Sequence, residues 1–190
     1  MKHVLAVDLA ARVSGWVLLD IGQQPYRVLA HGVINIAAKK NAAGKVEWTE
    51  LDCWETRHAW GLLLAQGGER TALGYLLDCI AYEVPGGSDR NDSYRGQSSV
   101  AQALGIFRAV AFDYTRRLMA LEATEVKEAV HGSRTASKLA VRAALDLRRH
   151  DGEWRMPVPP PGGDTWSSHE FDAVAVGLVA AARLRMEAMA

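Results

Sequence analysis

The feature that most constrains this chain is a pair of apolar segments close to its N-terminus. Residues 4–20 contain two apolar runs of strand length, separated by a short turn of Ala, Arg, Ser and Gly residues. This pattern predicts a β-hairpin. The first run is continuous, as expected of a strand buried inside an α/β sheet. It ends in Asp8, and a carboxylate at the end of a buried strand needs a hydrogen-bonding or positively charged partner.

Asp8 has two interpretations at this point. Its carboxylate could accept hydrogen bonds from backbone N–H groups of the following turn, or it could hold a metal ion. An acid with a glycine a few residues later, after a first strand, is also typical of sugar kinases and actin-like ATPases. Other carboxylates in matching positions must therefore decide between these alternatives.

Length and charge limit the architecture and the partners. A chain of 190 residues is long enough for one substantial core and short for two domains, so we expect a single domain over 1–190. The chain has 22 Lys and Arg residues against 22 Asp and Glu residues, so its net charge gives no general attraction to nucleic acid. A basic face offset by an acidic site would still allow DNA binding.

The remaining composition is typical of a soluble protein in a reducing compartment. The chain enters a strand without a signal peptide, and no apolar run approaches the roughly 20 residues of a membrane span. Cys53 and Cys79 lack metal-site spacing and are expected to be free thiols. We therefore expect a cytoplasmic protein without membrane association.

A second buried strand also ends in a carboxylate. Residues 76–84 form a mostly apolar run that contains Glu83 and stops at Pro85. The polar loop 86–99 that follows is long for a compact domain, and such loops tend to be functional. Its cations and aromatic ring suit contacts with phosphates and bases, although a plain surface loop is the alternative. The residues concerned are Arg90, Tyr94 and Arg95.

The last predicted helix adds two more candidates. Ser168 is expected to cap a helix that continues through small apolar residues. His169 and Asp172 are three residues apart, so they share one face of its first turn. Both could simply interact with the helix end. If the first and fourth strands are neighbours and this helix packs over them, the pair converges with Asp8 and Glu83.

Such a cluster of acids would repel itself at neutral pH, so it is expected to contain divalent cations. Mg²⁺ fits best because it prefers oxygen ligands, and Mn²⁺ is expected to substitute for it. Two such ions about 4 Å apart could clamp the attacking water and the leaving oxygen of a phosphodiester cleavage. The predicted metal ligands and catalytic residues are Asp8, Glu83, His169 and Asp172.

The order of these features resembles the RuvC-type Holliday junction resolvases of the ribonuclease H-like superfamily. The resemblance extends over nearly the whole chain, with the first hairpin at 4–16, a strand at 80–83, a helix at 102–110 and a final motif at 169–175. That motif is similar to the form with His in place of an additional Asp. The departures are a Leu-Ala-Ala turn after Asp8, an apparent Pro/Gly-rich insertion before the final motif, and the neutral net charge.

The resemblance implies an α/β fold and a specific activity. The fold would be a mixed five-stranded sheet, an antiparallel meander followed by parallel strands, flanked by helices. The activity would be that of a homodimer with one site per subunit, resolving four-way (Holliday) junctions by paired nicks in opposed strands. Lys127 and Lys138 keep the spacing of two family lysines near the junction backbone, and Arg134 would join them in contacting phosphates.

Two alternatives remain at the sequence level. A kinase of the actin-like class would need a second phosphate loop and a second homologous domain, for which 190 residues leave no room. A ribonuclease H-like module could instead bind nucleic acid without cleaving it, or cleave flaps, hybrids or other branched substrates. The presence of Asp8, Glu83 and Asp172 together favours a metal-dependent nuclease.

Overall fold

The computed structural model describes residues 2–37, 48–64, 75–84, 94–114, 117–156 and 166–190. Within these ranges the chain forms six strands and five helices. In chain order they are β1 (His3–Asp8), β2 (Val13–Asp20), β3 (Tyr26–Asn35), α1 (Glu50–Leu64), β4 (Cys79–Val84), α2 (Tyr94–Phe112), β5 (Leu118–Glu122), α3 (Ala123–His131), α4 (Lys138–His150), β6 (Trp154–Arg155) and α5 (Ser168–Met189).

The strands form one mixed sheet in the order β5-β4-β1-β2-β3-β6. The first three strands pair as an antiparallel meander, and β4 and β5 continue the sheet in parallel on the other side of β1. The predicted α/β class, the meander and the pairing of the first and fourth strands are confirmed. Because β1 has a neighbour on each side and helices on both faces, its continuous apolar run is explained.

The prediction of five strands was wrong by one. The prolines and glycines of 151–164 predict a loop, but the described part of this segment contains a sixth strand. β6 pairs in parallel with the first residues of β3. Trp154 is fully buried there, and its indole N–H donates a hydrogen bond to the Leu145 carbonyl at 3.1 Å. This buried tryptophan fixes the short segment against the edge of the sheet.

The sheet buries a different core on each face. Val4 and Ala6 of β1 pack in the core formed with α5, whereas Leu5 and Val7 pack in the core that contains Trp60 of α1. This alternation is the ordinary consequence of the two-residue repeat of a strand. It also determines which face each strand-end acid takes.

Helix α5 lies very close to the sheet. A Cβ atom added to Gly177 would come within 2.1 Å of a Leu19 methyl and 3.1 Å of the Ala6 Cβ atom. Glycine at this position therefore allows the helix axis to approach β1 and β2. Almost every residue from Phe171 to Ala181 is buried, so α5 is the central helix of this face.

Helical spacing predicts a stripe at 51, 54, 58, 62 and 65 on α1, with its aromatics as core or dimer contacts. The core alternative is wrong, because Leu51, Trp54 and Leu62 are 50%, 59% and 60% exposed. The dimer alternative stays a prediction, and residue 65 lies outside the described ranges. The buried face instead carries Asp52, Thr56, Trp60 and Leu64. A polar residue can be buried here because Arg12 neutralises Asp52, a contact that apolar periodicity does not predict.

Several predicted helix ends also move. Helix α2 begins at Tyr94, within the segment predicted to be a loop. The sequence also predicts that Ser133 or Thr135 caps the helix that follows them. The cap of this helix, α4, is instead Ser137, whose side chain accepts a hydrogen bond from the Ala140 N–H. The cap of α5 is Ser167 rather than 168, because only that register places Glu170 where it can complete a capping box.

Two compositional expectations can be compared with the described residues. Cys53 and Cys79 are free thiols, the first partly exposed and the second buried. None of the described helices combines the length and apolar character needed to span a membrane.

Candidate active site

Two strand-end acids, Asp8 and Glu83, lie on the α5 side of the sheet. Asp8 has the same parity as Val4 and Ala6, and Glu83 has the same parity as Cys79 and Ala81, all of which pack in the α5 core. Because β1 and β4 are parallel neighbours, their carboxyl ends lie at the same edge. The two acids are therefore close enough for the charge of Asp8 to affect the pKa of Glu83.

The first turn of α5 reaches this edge because of Gly15. Gly15 pairs with Asp8 across the β1–β2 hairpin. A Cβ atom on Gly15 would come within 2.2 Å of the His169 carbonyl carbon and oxygen. Glycine is therefore required for the backbone of the helix to lie directly on β2 beside Asp8, and the hairpin glycine noted in the sequence has this packing role.

His169 contacts Asp8 directly. Its Nδ1 atom lies 2.7 Å from Oδ2 of Asp8, and the two side chains are 30% and 12% exposed. An ionised carboxylate can only accept a hydrogen bond, so Nδ1 donates and Nε2 of the neutral ring is left as an acceptor. The imidazole is thus oriented by one of the predicted ligands.

Asp172 contacts a lysine. The Lys138 ammonium at the start of α4 donates to Oδ2 of Asp172 at 2.8 Å, and the lysine side chain is 72% exposed. Glu83, Lys127, Lys138 and Asp172 line a small pocket of about 40 Å³ between α3, α4, α5 and the end of β4. The structure therefore brings both lysines into the same pocket as Glu83 and Asp172.

The acids of this cluster are incompletely neutralised. Burial raises the pKa of Asp8, the hydrogen bond from His169 opposes the rise, and the charge of Asp172 adds to it. Burial, together with the charges of Asp8 and Asp172, raises the pKa of Glu83 to about 7. The hydrogen bond to Asp172 in turn raises the pKa of Lys138. The site therefore favours any added positive charge.

The donor chemistry fits a divalent cation, although the ligands are not preassembled. Within the described ranges no three His, Cys, Asp or Glu side chains are already arranged to hold a metal ion. Three of the predicted ligands are instead held in hydrogen-bonded pairs, Asp8 with His169 and Asp172 with Lys138. The repulsion between Asp8, Glu83 and Asp172, which adds to burial in raising the pKa values of Asp8 and Glu83, nevertheless favours binding of a hard cation by oxygen ligands.

The other predicted nucleic-acid contacts have different surroundings. Arg134 lies in the turn before α4 and donates to Glu128 at 2.7 Å, with both side chains more than half exposed. Lys127 lines the pocket beside Glu83. Arg90 lies outside the described residues, as do the side chains of Tyr94 and Arg95.

Two residues near the site were missed by sequence reasoning. His31 of β3 is hydrogen-bonded through Nδ1 to Glu170 of α5, although 139 positions separate the two residues in the chain. Burial opposes ionisation of Glu170, but the hydrogen bonds from His31 and Ser167 outweigh it and lower the pKa of Glu170. A serine three residues before a glutamate was the available signal, because it marks a capping box.

A larger cavity lies away from the acids. It has a volume of about 370 Å³ and lies between the ends of β1 and β2 and the C-terminal half of α5, where Lys2 and Arg185 line it. No acid is among its described lining residues. The cluster of converging titratable groups, rather than the larger cavity, is therefore the candidate active site.

The mixed sheet and its flanking helices have the fold seen in solved RuvC structures. The structure is similar to that of Thermus thermophilus RuvC, with a TM-score of 0.67 and 19% identity over 98% of this chain and 97% of the other. The T. thermophilus RuvC complex with a Holliday junction substrate gives a TM-score of 0.70 with the same identity and coverage.

The yeast mitochondrial Holliday junction resolvase Ydc2 is also similar. Its TM-score is 0.61 and its identity 12%, over 98% of this chain and 79% of the other. No protein-family model and no curated protein sequence matches the chain. At these identities the likeness shows the fold, and the activity has to be argued from the site.

Proposed function

We propose that this protein is a metal-dependent endonuclease that resolves four-way DNA junctions by paired nicks in opposed strands. The observation that carries the proposal is the cluster of Asp8, Glu83 and Asp172 on one edge of a RuvC-type sheet, with the pKa of Asp8 raised and that of Glu83 raised to about 7. T. thermophilus RuvC and Ydc2, which share this fold, are described as acting on or binding Holliday junctions.

Asp8, Glu83 and Asp172, with His169, would hold two Mg²⁺ ions, or Mn²⁺ in their place. When bound, such ions supply charge stabilisation and activation of a water for in-line phosphodiester cleavage. The protein's own part is orientation. Asp8 fixes His169 through Nδ1, so Nε2 can act as a ligand or accept a proton from the attacking water.

The basic residues around the acids would position the DNA backbone. Lys138 is largely exposed and Lys127 lines the same pocket, so both can reach phosphates beside the scissile bond. Arg134 would contact a phosphate after leaving Glu128. Arg90, Tyr94 and Arg95 complete the proposed DNA-binding set, with Tyr94 stacking on a splayed base.

The proposed assembly is a cytoplasmic homodimer of single-domain chains. A two-fold dimer presents one site to each of two opposed strands, which matches the pseudo-two-fold symmetry of a four-way junction. Paired nicks then follow from geometry, because each subunit cuts the strand nearest its own acids. A monomer of the same chain would nick only one strand in each encounter.

One observation favours a second candidate function. Asp8 is hydrogen-bonded to His169, and Asp172 to Lys138. Within the described residues, no three such side chains are arranged to hold a metal ion. A ribonuclease H-like module that binds branched nucleic acid without cutting it would have the same appearance. It would bind junctions but leave them intact at every Mg²⁺ concentration. A nuclease that prefers flaps or RNA–DNA hybrids would cut those substrates instead.

The test compares end-labelled four-way junction, flap, RNA–DNA hybrid and plain duplex, each with Mg²⁺ and with chelator. Symmetric nicks in opposed strands of the junction, present with Mg²⁺ and absent with chelator, are the expected result. Junction binding without cleavage would favour the binding module. Faster cleavage of the flap or the hybrid would show that the preferred substrate is not a four-way junction, while the proposed metal-dependent phosphodiester cleavage would still hold.

A further inference from the structure

Two of the four proposed site residues come from the first turns of α5. His169 contacts Asp8, and Asp172 contacts Lys138. The geometry of the site therefore depends on where the N-terminal end of α5 lies on the sheet. Helix ends fray unless something satisfies their unpaired backbone groups or fixes them to a neighbouring element.

Glu170 fixes this helix end with both of its carboxylate oxygens. It is only 6% exposed. Its Oε2 atom accepts the Ser167 backbone N–H at 2.7 Å, while the Ser167 hydroxyl accepts the Glu170 N–H at 3.3 Å. Its Oε1 atom is hydrogen-bonded to Nδ1 of His31. A capping glutamate needs only the first of these bonds, so the contact with β3 is additional.

His31 is itself held from a second side. Its ring stacks on Trp166, with centroids 4.1 Å apart and an interplanar angle of 24°. Trp166 directly precedes the cap residue Ser167 and also contacts Phe171 of α5. The imidazole of His31 thus contacts the residue just before the cap of α5 by stacking, and the first turn of α5 by its hydrogen bond to Glu170.

Three adjacent strands therefore each contact the start of α5. Asp8 of β1 accepts from His169, Gly15 of β2 lies against the His169 backbone, and His31 of β3 bonds Glu170. The contact from β3 is the farthest from the acids. It restrains rotation of the helix end about its contact with β2, which is the motion that would move His169 and Asp172 relative to Glu83.

We infer that His31 is a positioning residue, whose bond to Glu170 and stacking on Trp166 set the place of His169 and Asp172 in the acid cluster. This inference rests on the proposed metal-dependent function. It assigns to His31 no contact with substrate or metal. Partners that orient metal ligands from behind typically change metal affinity or activity by about 10- to 100-fold when removed.

Two variants separate the hydrogen bond from the volume of the ring. His31→Asn keeps a donor close to the position of Nδ1, whereas His31→Leu keeps apolar bulk and loses the donor. The readouts are the midpoint of Mn²⁺ binding in a calorimetric titration without DNA, and the Mg²⁺ concentration for half-maximal junction cleavage. Both should rise about tenfold in His31→Leu and stay within about threefold in His31→Asn.

Arg183→Gln provides the matched control. Arg183 pairs with Glu125 of α3 and anchors the same helix, but it lies roughly 20 Å farther along the axis than Glu170. This variant should lose stability without changing either metal midpoint. If His31→Leu behaves like Arg183→Gln, the role of His31 is structural only and the inference is overturned. Equal metal defects in the Asn and Leu variants would likewise overturn the role of the donor.

The two readouts also separate this inference from the proposed function. The Mn²⁺ titration contains no DNA, so it reports the metal site whatever the substrate is. A wild-type protein that responds to Mn²⁺ but cuts no junction would refute the proposed substrate and leave the test of His31 intact. A wild-type protein that cuts junctions, with unchanged metal midpoints in His31→Leu, would refute the inference alone.

Discussion

Two buried acidic regions of this molecule differ in how their charge is balanced. Asp52 in α1 is fully buried, yet Arg12 donates to it at 3.0 Å and both the backbone and the hydroxyl of Thr49 donate to its other oxygen. Burial works against its ionisation, but these bonds outweigh it and lower the pKa of Asp52. At Asp8 and Glu83 burial prevails, and both pKa values are raised.

The difference shows how a structural acid can be told from a site that binds cations. The Asp52 pair is complete, because every bond that the carboxylate needs comes from Arg12 and Thr49. At the strand ends, three acids share two cations of the protein, Lys127 and Lys138, and the imidazole of His169. Removing a charge should therefore have opposite consequences in the two regions.

The sharpest contrast compares Asp8→Asn with Asp52→Asn. Asp8→Asn removes one proposed anionic ligand at constant shape, so Mg²⁺-dependent cleavage should fall by about a thousandfold or more with folding intact. Asp52→Asn removes the buried charge to which Arg12 and Thr49 donate and should cost about 3 kcal/mol of unfolding free energy. Cleavage kinetics and urea unfolding in chelator measure the two effects.

Either of these two variants could contradict the proposed difference between the two acidic regions. Cleavage by Asp8→Asn within about tenfold of wild type would remove Asp8 from the site. An Asp52→Asn protein that stays as stable as wild type would show that the buried pair contributes nothing. Per folded molecule, Asp52→Asn should cleave within about tenfold of wild type, because the substitution is remote from the acid cluster.

His169 offers the next largest effect. Because Ser167 and Glu170 make the capping bonds, His169→Ala should change unfolding by less than about 1 kcal/mol. Cleavage should nevertheless fall by roughly a hundredfold, since the group that bonds Asp8 is lost. His169→Asp restores an oxygen ligand and should retain part of the Mg²⁺-dependent activity. Near-wild-type cleavage of a junction by His169→Ala would remove His169 from the site.

Glu83→Gln tests the electrostatic side of the comparison. The folded protein holds the Glu83 proton up to a pKa of about 7, whereas the ordinary value is 4.5, so folding takes up a proton between these values. Stability in chelator must then fall as pH rises through this window. Glu83→Gln removes the penalty and should be more stable than wild type by roughly 1 to 2 kcal/mol at pH 8.

The pH dependence itself supplies the control for Glu83→Gln. Near pH 4 the carboxyl is protonated in both states, so the variant and the wild type should have equal stability in chelator. Added Mg²⁺ should stabilise the wild type more than the variant, because the variant has lost an anionic ligand. A variant that is less stable than wild type at pH 8 would mean that the Glu83 charge is already compensated.

The sequence predicted the strand-end acids well because their placement follows from local rules. A strand that alternates faces and a parallel neighbour put Asp8 and Glu83 at one edge on one side. The lateral contacts could not be found in this way. His31 and Glu170 meet only because β3 and α5 pack together across 139 residues, and Arg12 reaches Asp52 from the hairpin turn.

The errors in the sequence prediction share one physical cause. The face of α1 was assigned from apolar periodicity, but tertiary ion pairing made a face with Asp52 the buried one. The sixth strand was missed because two residues carry no periodic signal, and the burial of Trp154 fixes them. In both cases a tertiary contact outweighed the local sequence pattern. The same holds at Gly15, where the lack of a side chain allows the backbone of α5 to pack against β2.

The smallest expected effect concerns Lys138, the proposed link between the acid cluster and DNA. Its ammonium bonds Asp172 at 2.8 Å, and ions bound by the acids would free it to contact a phosphate. With Ca²⁺ in place of Mg²⁺, so that the acids are occupied while cleavage is suppressed, Lys138→Ala should weaken binding to all branched DNAs alike. The dependence of log K on log salt should become shallower by about one.

Lys2→Ala, at the opposite end of β1, is the matched control and should leave the slope unchanged. If Lys138→Ala also left the slope unchanged, the lysine would serve only to neutralise Asp172, and the DNA contacts of this face would have to come from Lys127 and Arg134.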